Sequence, residues 1–298
     1  MLIDAGGRAF TEAFGRRPLS VRHSLAGHRL LVLEAIAELA DSLPAKSVER
    51  HAADLPVVMP GGAPELSGRP SDTVRGIERN GAWMVLWYIE QSPAYAELLN
   101  QCLDGMQALL PENEGRLRRQ EAFLFLSAPN AVTPVHFDPE HNFLLQIKGW
   151  KEMNVCPFLD EESEEREFVR YFDLGHRNLE AIPSEGTTFR IEPGLGVYVP
   201  SFMPHWVQNG SEASISLSIT FRTTLSERAE RVRAVNSRLR RLHIAPKPPG
   251  RSEVTDRAKE LGFISFLGWR SRAGRLRRQL ASRRRPHPAV AGSRSTAP

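Results

Sequence analysis

From Ser214 to Phe221 the chain alternates hydroxyl and apolar side chains without a break: Ser214-Ile215-Ser216-Leu217-Ser218-Ile219-Thr220-Phe221. Side chains along a β-strand point to opposite faces in turn, so this stretch reads as a strand with one oily face and one hydroxyl face. It closes a series of eight short β-rich runs separated by Pro, Gly and Asn: 122–127, 132–138, 142–148, 151–157, 187–191, 196–200, 205–208 and 214–223. Eight such runs in about 100 residues predict a mainly β core, folded as a double-sheet jelly roll. A polar face made of hydroxyls rather than charges suits a barrel with a polar pocket inside it. The alternative is a half-exposed strand with its serines in water.

Two of these runs carry the residues with the most chemistry. In Val132-Thr133-Pro134-Val135-His136-Phe137-Asp138, His136 and Asp138 stand two apart and can aim an imidazole and a carboxylate at one point. His205, in Pro204-His205-Trp206, can close the set if the intervening strands fold back. Two histidines and one carboxylate form the face that leaves positions open on Fe(II). His-x-Asp alone is a weak pattern, and its surroundings give it weight. His141 reads as a surface histidine, or one that supports a ligand from behind, rather than as a ligand.

Composition narrows the classes. At 41% hydrophobic and 25% charged, the 298 residues suit a soluble globular protein with a sizeable core. There is no run of 18 apolar residues and no basic-then-apolar leader, so neither a membrane span nor a signal peptide is expected. A cytoplasmic location is the default. Cys102 and Cys156 are too few for a disulfide framework and are expected to be buried, reduced thiols. The net charge of +4 is uneven: residues 226–298 carry 19 Lys and Arg against 5 Asp and Glu, a net of +14, and the rest of the chain a net of −10.

Three regions follow. Residues 1–110 read as a mostly helical region packing on the barrel, with amphipathic helices at Arg29–Ser42 and after Ser92-Pro93, a Pro/Gly-rich loop at 55–72 and a short strand at Trp83–Ile89. Residues 111–225 hold the barrel. Within it, 159–185 is an acidic insertion that reads as a solvated face, or else as a lid or a surface for a basic substrate. Residues 226–298 read as a basic helical region with a disordered end, beginning with a helix capped by Ser226 and striped by Val232, Val235, Leu239 and Leu242. Solvated charge, dimer packing, or docking on the acidic body explains its arginines better than nucleic-acid binding, because no base-reading motif accompanies them. The apolar stripe suggests a homodimer through these C-terminal helices.

The stretch Thr133-Pro134-Val135-His136-Phe137-Asp138-Pro139-Glu140-His141-Asn142-Phe143-Leu144-Leu145-Gln146-Ile147-Lys148-Gly149-Trp150-Lys151, with Val197-Tyr198-Val199-Pro200 and Pro204-His205-Trp206, resembles the cupin-like JmjC oxygenases. It is most similar to the branch that includes the asparaginyl hydroxylase acting on hypoxia-inducible factor and its bacterial relatives. The resemblance runs from about Leu86 to Phe221, under half of the chain. It implies a double-stranded β-helix barrel, with Fe(II) held by His136, Asp138 and His205 and with 2-oxoglutarate and O2 as cosubstrates. It further implies that Lys151 pairs with the distal carboxylate of 2-oxoglutarate, that Thr133 shares that carboxylate, and that Asn142 lies near the cosubstrate. Tyr88 matches an upstream tyrosine loosely. Thr220 falls where the asparaginyl hydroxylase has an asparagine near the keto-acid end, a departure that bears on how that end is held. By strand parity alone Lys148 and Lys151 compete for the cosubstrate role; the resemblance selects Lys151.

The expected activity is therefore an Fe(II)- and 2-oxoglutarate-dependent dioxygenase, hydroxylating a C–H bond of a protein side chain or a small peptide-like molecule and releasing succinate and CO2. Two other functions fit the same residues. One is a cupin metalloenzyme that uses no keto acid; the other is a non-catalytic ligand sensor whose basic tail docks on nucleic acid.

Overall fold

The computed structural model describes residues 2–52, 66–181, 183 and 185–265. Ahead of the barrel lie strands β1 (Ile3–Asp4), β2 (Leu19–His23), β3 (Val48–Ala52) and β4 (Ala82–Leu86). The barrel strands follow as β5 (Leu117–Ser127), β6 (Val132–His136), β7 (His141–Lys148), β8 (Lys151–Val155), β9 (Thr187–Ile191), β10 (Leu195–Val199), β11 (His205–Asn209) and β12 (Ser214–Thr223). Helices α1 (Arg8–Ala13), α2 (Leu33–Ser42), α3 (Pro70–Arg75), α4 (Pro93–Leu103) and α5 (Met106–Leu109) precede the barrel; α6 (Glu161–Leu174) interrupts it and α7 (Thr224–Arg241) follows it.

The strands form a large sheet in the order β1-β2-β10-β7-β12-β5-β4-β3 and a small one in the order β6-β11-β8-β9. Every pairing is antiparallel. From β5 onward the chain passes back and forth between the two sheets, which makes the eight predicted runs a double-stranded β-helix. All eight are strands, with ends that differ by a few residues from the expected ones.

β12 shows why the fold closes. Ile215, Leu217, Ile219 and Phe221 face outward from the barrel into the main core, against Phe143 and Leu145 of β7, Leu124 and Leu126 of β5, and helix residues such as Phe10, Ile36 and Leu98. The other face is equally buried, so its hydroxyls look into the barrel rather than into water. The three serines are satisfied there: Ser214 Oγ accepts from Gln146 Nε2 at 2.9 Å, Ser216 Oγ donates to Gln146 Oε1 at 2.7 Å and Ser218 Oγ to Asn142 Oδ1 at 2.8 Å.

The N-terminal region carries helices α1 to α5 and also adds four strands to the large sheet, two at each edge. Short strands such as β1 and β2 carry too few alternating residues to be read from sequence, and neighbouring strands supply the missing half of their pattern. The run Trp83–Ile89 ends as a strand at Leu86, and Tyr88 turns the chain with a left-handed backbone (φ 57°). Of the expected loop at 55–72, residues 53–65 lie outside the described residues, and Pro70 begins α3 rather than ending a loop. Ser92 sits at the N-cap of α4 without a side-chain hydrogen bond, and that helix breaks at Gly105 (φ 74°).

At the C-terminal end, Thr223 rather than Ser226 caps α7. Its hydroxyl accepts from Ser226 N–H at 3.0 Å and Ser226 Oγ accepts from Thr223 N–H at 2.8 Å, a reciprocal capping box. The apolar stripe is shorter than expected. Val232 is fully buried, whereas Leu242 lies past the helix end and is 69% exposed. The arginines of α7 dock on the acidic insertion, which is helix α6. Arg233 pairs with Glu164 at 3.1 Å, Arg240 with Glu165, and Arg241 with Asp173 at 3.3 Å. Beneath them Phe137, Phe168 and Phe202 pack as a cluster, with the Arg233 guanidinium 4.2 Å from the Phe168 ring. Residues 253–265 form a further helix, and the remainder of the expected C-terminal region, from residue 266, lies outside the described residues. Cys102 and Cys156 are both buried free thiols. Among the described residues no helix is long and apolar enough to cross a membrane.

Phe221 is fully buried and stacks on Phe14, His141 and Phe143, so Phe221→Ala should cost about 3–5 kcal/mol of unfolding free energy, measured by urea denaturation.

Candidate active site

Between the two sheets lies a cavity of about 540 Å³. His136, at the end of β6, and His205, at the start of β11, are direct register partners across that antiparallel pair. Their rings stand 4.3 Å apart between centroids. Asp138 follows two residues after His136, just beyond the strand, and Phe202 N–H donates to its backbone carbonyl at 2.6 Å, tying it to the loop that leads to His205. One carboxylate oxygen, Oδ2, is 3.9 Å from His136 Nε2 and 3.7 Å from His205 Nε2. Nitrogen and oxygen donors of all three side chains lie within 4.8 Å of one another.

The hydrogen bonds behind the rings set their tautomers. His136 Nδ1 lies 2.8 Å from the Pro134 carbonyl and His205 Nδ1 3.0 Å from the Met203 carbonyl. A carbonyl only accepts, so each Nδ1 carries the proton and each Nε2 presents a lone pair to the cavity. Burial, with His136 alongside, brings the His205 pKa down to about 4, so that ring is neutral at pH 7. Burial pushes the Asp138 carboxyl up, but His136, Arg177 and His205 outweigh it and hold it below the ordinary carboxylate value. Two imidazoles with Nε2 turned inward and an ionised carboxylate converging on one point suit a divalent metal ion.

Lys151 faces the same cavity. It opens β8 after a turn at Gly149, which has φ 68° and where a Cβ would stand 2.5 Å from the Ala213 carbonyl oxygen, so the turn admits only glycine. Lys151 is 4% exposed, and its ammonium has no hydrogen bond or ion pair with the protein among the described residues. Burial brings its pKa down to about 7. Lys148, its rival by parity, points the other way and pairs with Glu78 on the surface. A buried ammonium with no anion beside it is costly, and the cavity is where an anion can reach it.

The other expected cosubstrate residues line this cavity too. Thr133 lies on β6, Asn142 on β7 accepts from Ser218, and Thr220 on β12 pairs in register with Asn142. The Thr220 hydroxyl is buried without a partner. Tyr88 sits on the cavity wall, 44% exposed, edge-on to Phe123 at 5.3 Å. His141 is neither a surface residue nor a metal ligand. It is buried on the opposite side of β7, stacked on Phe14 and 2.9 Å from the Tyr198 hydroxyl, and burial holds its pKa near 3.

Several residues of the cavity were not legible beforehand. Arg177 donates to Asp138 Oδ1 at 2.5 Å from the irregular segment after α6, where no periodicity marks it. Glu140 pairs with Arg222 at 2.8 Å, and burial raises its pKa to about 7 against the pull of that arginine. Glu49 on β3 accepts from Trp87 Nε1 at 2.9 Å and borders His51. The spacing of β3 and β4 in sequence gave no sign that they would extend the cavity wall. Lys151→Met should stabilise the protein at pH 7 by about 1–3 kcal/mol in the absence of any anion, by relieving an unsatisfied buried charge. Because the folded Lys151 sheds its proton near pH 7 and the unfolded one near 10.5, wild-type stability should rise between those values relative to the variant, as urea melts across pH will show.

No protein-family model matches the chain. The JmjC domain-containing protein F of Dictyostelium discoideum is 27% identical to it over 124 residues, covering 33% of this chain and 26% of that protein. The chain thus aligns with about a quarter of the length of that relative. An X-ray structure of E. coli ycfD superposes with a TM-score of 0.52 at 15% identity, covering 90% of this chain and 69% of the other. A structure of the same protein, there described as a ribosomal oxygenase in complex with cobalt and 2-oxoglutarate, gives a TM-score of 0.46 at 16% identity over 87% of this chain and 65% of that one. The chain therefore shares the fold of that E. coli protein, and about a third of it is similar in sequence to part of a JmjC domain-containing protein.

Proposed function

We propose that this protein is an Fe(II)- and 2-oxoglutarate-dependent oxygenase that hydroxylates a C–H bond of a protein side chain or a peptide-like small molecule. The observation that carries this reading is the pairing of two features in one cavity: the converging Nε2, Nε2 and Oδ2 donors of His136, His205 and Asp138, and the unpartnered ammonium of Lys151. A metal face alone fits a cupin that uses no keto acid. The lysine favours an anionic cosubstrate beside the metal.

When bound, iron would activate O2, whose four electrons come in equal parts from decarboxylation of 2-oxoglutarate to succinate and CO2 and from the C–H bond that is hydroxylated. The protein supplies placement. His136, Asp138 and His205 would hold the metal on one face, and the backbone carbonyls of Pro134 and Met203 keep both imidazoles turned toward it. Lys151 would take the distal carboxylate, with the hydroxyl of Thr133 beside it. The unpaired hydroxyl of Thr220 and the amide of Asn142 line the wall between β7 and β12, where they can hold the keto acid. The apolar side chains of Leu144, Met153 and Val207 keep water from the reacting end. The aromatic side of the cavity, Trp83, Trp87, Tyr88 and Phe123, is left for the substrate, and a volume of about 540 Å³ lies within the range that ligand pockets occupy.

Anaerobic Fe(II) titration and succinate release test the reading directly. His136→Ala, Asp138→Ala and His205→Ala should each abolish 2-oxoglutarate decarboxylation, and a mass-spectrometric comparison of wild type with Asp138→Ala in lysate should reveal a product 16 Da heavier in the wild type alone. Wild-type protein that releases no succinate with any substrate, and is unchanged by these substitutions, overturns it. Lys151→Ala separates the two enzyme readings: 2-oxoglutarate use should fall about 10- to 100-fold if the lysine binds it, as loss of a buried charge partner predicts, and activity should be intact in a cupin that needs no keto acid.

The pH dependence follows from Lys151. A bound carboxylate raises the lysine's pKa above its unbound value of about 7, so affinity for 2-oxoglutarate should be greatest below pH 7 and fall as pH rises above it. Lys151→Arg, charged throughout that range, should flatten the fall in a binding titration.

A further inference from the structure

The carboxylate of Asp138 is divided between two neighbours. Its Oδ2 faces the two imidazole Nε2 atoms, and its Oδ1 accepts from Arg177 Nη1 at 2.5 Å. The arginine side chain is 44% exposed, but the backbone that carries it is held in place. Residues 177–179 run alongside the edge of β6 as an extra strand segment: Phe137 N–H donates to the Arg177 carbonyl at 3.2 Å, Leu179 N–H donates to the Val135 carbonyl at 3.0 Å, and His136 and Asn178 form an antiparallel bridge. Those contacts flank His136 on both sides, so the backbone that carries Arg177 is in register with the strand that carries the ligands.

The segment is anchored from the other end as well. It leaves α6 through a left-handed Gly175 (φ 73°), and α6 is gripped by Arg233, Arg240 and Arg241 of α7 and by the aromatic cluster of Phe137, Phe168 and Phe202. The acidic insertion therefore carries the Arg177 backbone to a set position beside Asp138. A carboxylate with both oxygens unoccupied can rotate and offer either or both of them to a metal ion. A charge-assisted hydrogen bond on one oxygen removes that freedom.

The geometry points to Arg177 as the positioning residue that reserves Asp138 Oδ1, so that Asp138 offers a metal ion one oxygen, Oδ2, in a fixed orientation. This rests on the reading of His136, Asp138 and His205 as a metal face, and it adds the device that orients the carboxylate within that face.

Co(II) titration of the full chain, followed by visible absorption, tests it without turnover. Arg177→Ala and Arg177→Gln, neither of which reaches Oδ1 with a charged donor, should weaken Co(II) binding about 10- to 100-fold, the usual effect of removing a partner behind a metal ligand, and should change the absorption band as the carboxylate reorients. Arg177→Lys, which keeps the charge and the reach, should recover most of the affinity. The metal-free melting temperature of each variant is measured in parallel. If Arg177→Ala does not fold, the comparison of Gln with Lys decides, because both fill similar space. Wild-type affinity and an unchanged band in Arg177→Ala or Arg177→Gln, or equal binding by Gln and Lys, overturn the inference. Wild-type protein that binds no Co(II) at all sinks the metal-face reading instead.

Discussion

The antiparallel pairing of β6 with β11 is the constraint on which the site depends. It sets His136 opposite His205 although 68 residues separate them in the chain, and it does so through backbone hydrogen bonds that do not depend on either side chain. The two carbonyls behind the rings, Pro134 and Met203, belong to the same two chain segments and come with the pairing. A slip of one residue in this register would send one imidazole to the opposite face of the small sheet. The burial of the small sheet's inner face, through Met153, Val155, Ile191 and Val207, resists that slip. Packing of ordinary aliphatic residues thus fixes the geometry of the polar ones.

The same logic explains how much could be read from sequence. The β-helix strands were legible because each carries its own alternation, strongest in β12, where the hydroxyl face proves to be the inside of the barrel. The His-x-Asp pair was legible because both residues lie on one short stretch, and His205 because its Pro-His-Trp setting resembles a known motif. Lys151 needed the resemblance, since Lys148 shares its local pattern, and only the turn at Gly149 separates an inward lysine from an outward one. β1 to β3 and Arg177 were not legible. Their roles arise from edges, where a segment with little pattern of its own is completed by a neighbour.

The charge asymmetry of the chain has a structural counterpart. The basic C-terminal helix and the acidic insertion are far apart in sequence and lie against each other in the fold, so part of the excess of arginine is matched within the molecule. The half-buried guanidinium of Arg233, which lies over two aromatic rings beside Glu164, shows that this contact is more than a meeting of solvated surfaces. Net charge by segment, read without the fold, overstates the cation that α7 presents to the outside.

The passage from β12 into α7 has no loop. Thr223 is at once the last residue of the strand and the cap of the helix, locked by its reciprocal bonds with Ser226 and by a hydrogen bond from its hydroxyl to Glu114 at 2.6 Å. The strand that carries Ser218 and Thr220 and the helix that grips the acidic insertion therefore share a single hinge-free junction at Thr223, three residues from the cavity hydroxyl of Thr220. The acidic insertion and the back wall of the cavity are thus attached to the two ends of one continuous stretch of chain.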